Sequence, residues 1–159
     1  MSSISFVVAG DPKAQPRADG YAYQPKGKKK PICRMYTPDS ADGWKLSVNV
    51  VALSRRPARP IEGPIRVDLT FYFSRPQRLL KKSSPRGPIL HDIKPDRDNL
   101  DKVVLDALTK AHFWHDDCQV CGGEIWKYYA AIGARPGVRI VVTPIEVSGQ
   151  KPFNWEGPE

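Results

Sequence analysis

The fold is decided by a nine-residue stretch, Ile65-Arg66-Val67-Asp68-Leu69-Thr70-Phe71-Tyr72-Phe73. Every second side chain in it is large and apolar, and successive side chains of a β-strand point to opposite faces. The pattern therefore predicts a strand with one face buried in a core. A half-buried strand of this kind needs a covering layer of helices or a second sheet.

Weaker patterns on both sides of this stretch predict further strands. Runs rich in strand-forming residues stand at 4–9, 125–132 and 138–145. The last two are expected to pair as a hairpin through the turn at 133–137, which contains two glycines and a proline.

Two helices are predicted between the strands. The first is capped by Asp39 or Ser40 and ends near Ser54. The second covers about 99–111 and buries an apolar stripe. That stripe consists of Leu100, Val103, Val104, Ala107, Leu108 and Ala111. The element order predicts a single α+β domain over residues 1–147, with a small mixed sheet packed with two main helices, and a flexible tail over 148–159.

Charge is distributed unevenly along the 159 residues. Residues 1–91 hold 17 Lys/Arg against 6 Asp/Glu, whereas residues 92–159 hold 8 Lys/Arg against 11 Asp/Glu. A basic surface attracts a polyanion, while clustered acids repel it unless a cation lies between them. The combination favours nucleic acid and a divalent metal, although a basic solvated surface with an acidic helix start has the same composition.

Much of the basic charge lies in two proline-rich segments, about 11–38 and 74–95, which are predicted to be irregular loops. These loops, together with the basic segment 55–59, are candidates for contacts with DNA phosphates. The loop residues proposed for DNA binding are Lys13, Arg17, Lys28, Lys29, Lys30, Arg75, Arg78, Lys81 and Lys82.

The composition indicates neither a disulfide framework nor a membrane protein. The three cysteines are an odd number. No apolar run approaches the ~20 residues that a membrane-spanning helix needs, and the N-terminus lacks the apolar segment of a signal peptide. We therefore expect a cytoplasmic protein without a membrane partner.

The clearest chemistry lies in Lys94-Pro95-Asp96-Arg97-Asp98-Asn99-Leu100. Asp96 and Asp98 are two residues apart, so their carboxylates share one side of an extended chain that leads into the second helix. A third acid, Asp116 or Asp117, precedes the next strand. Three carboxylates of this kind suit magnesium or manganese. Such an ion assists phosphodiester hydrolysis by polarising a phosphoryl oxygen and stabilising the leaving alkoxide.

Lys102 lies one helical turn after Asp98 on the same face. It is placed to neutralise charge on a scissile phosphate, and Asp106, one turn further, to orient it. Each residue also has a purely structural explanation. Asp98 suits a helix N-cap and Asp101 the third helical position, while Lys102 and Asp106 suit a surface ion pair.

Three runs in this region stand in one register without a gap. They are Asp96-Arg97-Asp98-Asn99-Leu100-Asp101-Lys102, Asp106-Ala107-Leu108-Thr109-Lys110-Ala111 and Phe113-Trp114-His115-Asp116-Asp117-Cys118-Gln119-Val120. Together they resemble the RusA family of Holliday junction resolvases. A looser similarity covers most of residues 4–145.

The resemblance implies an endonuclease that requires Mg²⁺ or Mn²⁺ and no small-molecule cofactor. It implies a homodimer that binds branched DNA and resolves four-way junctions by paired symmetric nicks, in recombination, repair or phage DNA processing. It also implies that Asp96, Asp98 and Asp117 bind the metal and act in catalysis with Lys102. Candidates for supporting these residues are Asp106, Asp116 and Asn99. A bacterial, phage or prophage origin fits this family.

Other functions stay open at this point. His112, His115, Cys118 and Cys121 have the residue types of a zinc site. They would support a non-catalytic, zinc-stabilised DNA-binding protein, but their uniform three-residue spacing does not easily converge four ligands. A catalytically silent DNA-binding relative would keep the fold. A nuclease that prefers flaps or replication forks would carry the same site residues.

Overall fold

Strand β4 (Ile65–Phe73) lies at the centre of the sheet, and its alternating pattern is confirmed. Its odd-numbered residues are buried, while its even-numbered residues are half-buried or exposed. The structure is a computed structural model that describes residues 2–17, 19–27, 29–36 and 38–146. The predicted tail at 148–159 lies outside these residues.

The described chain forms eight strands and two helices, with two short 3₁₀ turns. In chain order they are β1 (Ile4–Ala9), β2 (Asp19–Tyr23), β3 (Ile32–Tyr36), α1 (Asp42–Arg55), β4 (Ile65–Phe73), the turn Gln77–Leu79, β5 (Ile89–Leu90), α2 (Arg97–Lys110), the turn Asp117–Gln119, β6 (Val120–Gly122), β7 (Ile125–Tyr129) and β8 (Gly137–Pro144). Among the described residues no helix is long and apolar enough to cross a membrane.

Six of the strands form one mixed sheet in the order β1-β8-β4-β7-β5, with β6 also beside β4. Strand β8 runs antiparallel to both β1 and β4, whereas β6 and β7 run parallel to β4. Both helices contribute to the same buried core as the inward residues of β1, β4 and β8. The α+β architecture, with two helices on a mixed sheet, is the one predicted.

The predicted hairpin between the last two strands is wrong, because β4 lies between β7 and β8. Strand β7 also ends at Tyr129 rather than at residue 132. The next residues bond elsewhere: the amide of Ala130 donates to the carbonyl of Phe73 at 2.8 Å, and that of Ile132 to Arg86 at 2.9 Å. The long β4 thus provides backbone partners to both β7 and β8. The local sequence of β7 and β8 does not reveal this arrangement.

The expectation of irregular loops is also wrong in part. Segment 11–38 contains the antiparallel pair β2–β3, which forms a separate two-stranded sheet. On it, the guanidinium of Arg34 lies 5.8 Å from the ring centre of Tyr23. Segment 74–95 contains the short edge strand β5 and a 3₁₀ turn. Prolines lie close to the ends of these short strands and of the turn. The alternating patterns are therefore too short to be recognised from the sequence.

Helices α1 and α2 pack side by side. Lys45 donates to the carboxylate of Asp106 at 2.8 Å, and buried Asn49 donates to the carbonyl of Ala107 at 3.0 Å. The predicted stripe on α2 is buried at all six positions. The N-cap residue of α1 is Ala41, and neither Asp39 nor Ser40 occupies that position. Asp39 takes part through its backbone carbonyl, which accepts from the amide of Asp42 at 2.9 Å.

Candidate active site at the start of the second helix

The start of α2 presents two exposed carboxylates. Asp96 is the N-cap residue with extended backbone, and its side chain makes no capping hydrogen bond. Asp98 lies inside the first helical turn, so the two carboxylates do not alternate along an extended chain as expected. Negative charge at a helix N-terminus is favourable because the backbone amides there point outward.

Contacts from two other segments hold this helix start in place. Lys127 on β7 donates to the carbonyls of Ile93 and Pro95, each at 2.7 Å. The amide of Gln15 donates to the carbonyl of Asn99 at 2.9 Å. Sequence analysis missed Lys127 as a positioning residue. Its signal is a lysine at an inward position between Ile125 and Tyr129, where a charged group needs partners.

Two neighbouring acids after α2 have different tasks. Asp116 caps the turn Asp117–Gln119: its carboxylate accepts from the amide of Cys118 at 2.9 Å, and the Gln119 side chain accepts from the amide of Asp116 at 3.2 Å. The Cys118 amide also keeps the pKa of Asp116 below its usual value. Asp117, in contrast, lines a cavity. The geometry therefore favours Asp117 over Asp116 as a ligand, a choice that the sequence left open.

Gln119 joins this turn to the segment that precedes β4. Its amide nitrogen donates to the carbonyls of Ile61 and Gly63, both at 2.9 Å, while its oxygen also accepts from the amide of His115 at 2.9 Å. One side chain thus fixes the position of the backbone that carries Asp117.

Asp101 and Asp117 line one cavity of about 300 Å³, here called the acidic cavity. Its remaining wall comes from Val67, Leu105, residues 120–123 and Ile125. Burial raises the pKa of Asp101, and the nearby positive charge of Arg97 opposes that rise. Asp101 was not among the predicted site residues. It lies three residues after Asp98, hence one turn along the same helix face, but only the structure shows which wall it meets.

Lys102 is exposed on the same face of α2. Asp106 does not orient it as expected, because the Asp106 carboxylate pairs with Lys45 of α1 at 2.8 Å. Lys45 and Asp106 retain about a third of their side-chain exposure, 30% and 31%. Asp106 therefore joins the two helices, and Lys102 extends into solvent beside the acids.

The chemistry of these donors fits Mg²⁺, which prefers carboxylate oxygens. The described residues nevertheless bring no three Asp, Glu, His or Cys side chains close enough together to hold one ion. Mg²⁺ commonly uses only one or two carboxylates, with water and substrate phosphates supplying the other oxygens. The donor set therefore fits an ion that lies between the protein and a phosphate.

Arg17 lies 3.7 Å from Asp96, and both side chains are exposed. An exposed ion pair of this kind is weak, so a metal ion can replace Arg17 as the partner of Asp96.

The four side chains considered for zinc do not converge in the described part of the chain. The ring of His115 pairs with Glu62 at 2.8 Å, and the thiol of Cys121 donates to the carbonyl of Gln119 at 3.4 Å. The Asp116 carboxylate raises the pKa of the Cys118 thiol, which disfavours the thiolate that zinc requires.

The predicted DNA-binding residues separate into distinct groups. Arg75 is bound within the protein, because its guanidinium donates to the carbonyls of Leu79, Pro85, Gly87 and Ala130. The exposed remainder comprises Lys13, Arg17, Lys29, Lys30, Arg78, Lys81 and Lys82. Lys28 lies outside the described residues.

Comparisons with known proteins identify relatives of this chain. The family model for the endodeoxyribonuclease RusA matches residues 9–143. The uncharacterized protein YqaN of Bacillus subtilis (strain 168) is 30% identical over 150 residues, covering 91% of this chain and 99% of YqaN. The crossover junction endodeoxyribonuclease RusA of Escherichia coli (strain K12) is 50% identical over 40 residues, which are 25% of this chain and 33% of that enzyme. The family match spans nearly the whole described chain, from β1 to β8, and the protein therefore belongs to the RusA endodeoxyribonuclease family.

Proposed function

We propose that the protein is a Mg²⁺-dependent, structure-selective endodeoxyribonuclease that resolves Holliday junctions. The supporting observation is that two acids lie at the start of α2 and a third lines a cavity beside this helix. Asp96 is the N-cap residue, Asp98 lies in the first turn, and Asp117 shares a cavity with Asp101, one turn further along. Membership of the endodeoxyribonuclease family supports DNA as the molecule on which these acids act.

The backbone amides at the start of α2 and the acids beside them have opposite effects on a bound phosphate. The outward amides of α2 attract an anion, whereas the carboxylates repel it unless a cation intervenes. Asp96, Asp98 and Asp117 would hold a Mg²⁺ ion, which would offset this repulsion and supply positive charge to stabilise the phosphoryl and leaving oxygens. Lys102 would place its ammonium near the same phosphate, where positive charge favours the transition state.

A homodimer completes the proposal. Symmetric resolution of a four-way junction requires nicks in two equivalent strands, and a twofold axis supplies two equivalent sites. The biological setting we propose is DNA recombination, repair or phage DNA processing in bacteria. Mn²⁺ is expected to replace Mg²⁺, because it also prefers oxygen ligands.

The decisive experiment compares Asp98→Asn with wild type on a synthetic four-way junction and a matched linear duplex, in Mg²⁺ and in EDTA. We expect wild type to make paired nicks in the junction only when metal is present. Asp98→Asn should bind the junction but cut it at least about 100-fold more slowly, since several kcal/mol of charge stabilisation are lost. The matched control is Asp42→Asn, which makes the same change in the first turn of α1. It should cut as wild type does, within about twofold.

Three results would contradict the proposal. Equal cutting by Asp98→Asn would remove this acid from the reaction. Binding without cutting by wild type, in either metal, would favour a silent DNA-binding protein. When flap and fork substrates are added to this assay, preferential cutting of either would support a nuclease with a different substrate from the one proposed.

A further inference from the structure

A second cavity, of about 680 Å³, adjoins the segment that leads into α2. It is here called the aromatic cavity. Pro95 lines it, and the next residue is Asp96. Its walls come from residues 11–14, 73–76, Arg78, His91, 93–95 and Tyr129. The cavity is therefore one residue away from the proposed metal ligands, yet neither the family match nor the site described above gives it a role.

One wall of this cavity carries three aromatic rings in contact. The ring of His91 lies 4.3 Å from that of Phe73 and 4.5 Å from that of Tyr129, centre to centre, with tilts of 31° and 45°. All three residues are buried and line the cavity. Flat aromatic surfaces accept nucleobases of any sequence, because every base has a π face.

Two of these rings carry buried polar atoms without a partner. His91 is 6% exposed and Tyr129 is 5% exposed, and neither Nδ1 of His91 nor the hydroxyl of Tyr129 finds a hydrogen-bond partner among the described residues. Such atoms are uncommon in folded proteins because each costs stability. Both belong to residues that line the cavity, and a polar ligand that enters it would reach the two atoms once either ring turns toward it.

The mouth of the aromatic cavity is positively charged. Exposed Lys13, Arg78 and Lys94 line it. Among the described residues that line it, the acid is Asp11, whose carboxylate already accepts hydrogen bonds from the amide and the hydroxyl of Ser74 at 3.0 and 2.9 Å. Arg75 also lines the cavity, with its guanidinium bound to backbone carbonyls. Three flexible cations beside a ring-lined interior match a ligand with an anionic end and a flat polar end.

We propose that the aromatic cavity binds one unstacked nucleotide of the DNA substrate. Its base would lie against the rings of His91 and Tyr129, and its phosphate near Lys13, Arg78 and Lys94. The inference rests on the proposed nuclease function, since it places that nucleotide next to Asp96. Removing a base from a perfect duplex costs a few kcal/mol, and the cost is least where pairing or stacking is already incomplete. The cavity would therefore favour DNA with a branch point over a continuous duplex.

The test measures binding in EDTA, so that it does not depend on cutting. The probes are a fluorescein-labelled dT decamer, a decamer of abasic nucleotides with the same phosphates, and a ten-base-pair duplex. Wild type is expected to bind the dT decamer about tenfold more tightly than the abasic strand. A ratio near one for wild type would overturn the proposal.

Two isosteric variants separate binding from folding. His91→Phe and Tyr129→Phe keep the ring and remove the unpartnered atom, so thermal stability should be equal or higher. If these atoms contact a base, each variant should lower the preference for dT over abasic DNA by about threefold or more. An unchanged preference in both variants would overturn the role given to these atoms.

A charge variant tests the mouth of the cavity. Lys13→Gln/Arg78→Gln should weaken binding of the dT decamer by about tenfold, and that of the duplex by less. The control Lys110→Gln/Arg139→Gln removes the same charge from two exposed residues that do not line the cavity, and it should weaken binding of the two DNA forms equally. An equal loss on single strand and duplex would show a general phosphate surface and contradict the nucleotide cavity. Junction nicking, measured separately in Mg²⁺, tests the nuclease itself, so the two proposals fail by different results.

Discussion

The two cavities beside the start of α2 differ in where their charged and polar groups lie and in how far these groups are exposed. In the acidic cavity, Asp117 is exposed and its position is set by backbone caps and by Gln119. In the aromatic cavity, the polar groups of His91 and Tyr129 are buried, and the exposed charges stand only at the mouth. The contrast suggests that the two cavities have separate roles. In the acidic cavity a rigid turn positions a carboxylate for catalysis, whereas in the aromatic cavity a buried ring surface recognises the shape of a ligand. The following variants disturb one cavity at a time.

The largest effect is expected from Gly123→Ala in the wall of the acidic cavity. Gly123 has a φ of +149°, and a Cβ there would overlap the carbonyl oxygen of Val67. We expect the free energy of unfolding to fall by about 3 kcal/mol or more, measured by urea denaturation. In the matched control Gly122→Ala, the new Cβ meets nothing within 4 Å, and a change below about 0.5 kcal/mol is expected. Equal losses in the two variants would contradict this account of the wall.

A smaller loss is expected from Gln119→Ala. Its side chain bonds to backbone groups of two separate segments, at Ile61 and Gly63 and at His115 and Asp116. Losing them should cost about 2 kcal/mol of unfolding free energy and slow junction nicking without weakening junction binding. The control Gln77→Ala changes an exposed glutamine in the other 3₁₀ turn and should alter neither quantity. A variant that nicks at the wild-type rate would show that Asp117 needs no such support.

The aromatic cavity should make folding sensitive to acid. Burial, followed by the charge of Lys127, lowers the pKa of His91 from 6.5. The unfolded chain then binds more protons than the folded protein as the pH falls through about 6.5. The contribution of His91 to stability is therefore complete above that pH and decreases below it. His91→Phe should lose less stability than wild type between pH 7 and pH 5, as measured by thermal denaturation. Parallel pH curves for the two proteins would show that the imidazole remains free to protonate.

The acidic cavity should show the opposite pH dependence, with the smallest effect. Burial raises the pKa of Asp101 from 3.8, so the folded protein holds the proton more tightly than the unfolded chain. Stability decreases as the pH rises above 3.8, because ionising this carboxyl costs more in the folded state. Asp101→Asn should therefore be slightly more stable at pH 7, by a few tenths of a kcal/mol, with no gain at pH 3. A loss of stability at pH 7 would show that the ionised carboxylate has a favourable partner.

Sequence patterns predicted the parts of this fold that depend on local periodicity. The alternation at Ile65–Phe73 and the stripe that begins at Leu100 both require a buried face, and both faces are buried. The hairpin at 133–137 failed for a different reason. Whether two strands pair with each other or with a third strand between them depends on contacts distant in sequence, which a local pattern does not encode.

The same limit applies to the site. The acids at the start of α2 were visible as Asp96 and Asp98, because helix starts and acid spacing are local features. Asp101 and His91 were not identified, since their importance arises from the walls they face. Arg75 was counted as a DNA-binding residue on charge alone, whereas its guanidinium is bound to four backbone carbonyls. Composition counts charges but does not show which of them are already used.

The bonds of Arg75 have a consequence for how this protein can change in evolution. They join Leu79, Pro85 and Gly87 to one another and to Ala130, so the loop is closed at its base. Residues 80–84 lie between the anchored positions, and insertions at such exposed loop tips are generally tolerated. Relatives could therefore lengthen or recharge this tip, and so acquire a preference for different DNA branches, while the framework that holds the acids of α2 stays the same.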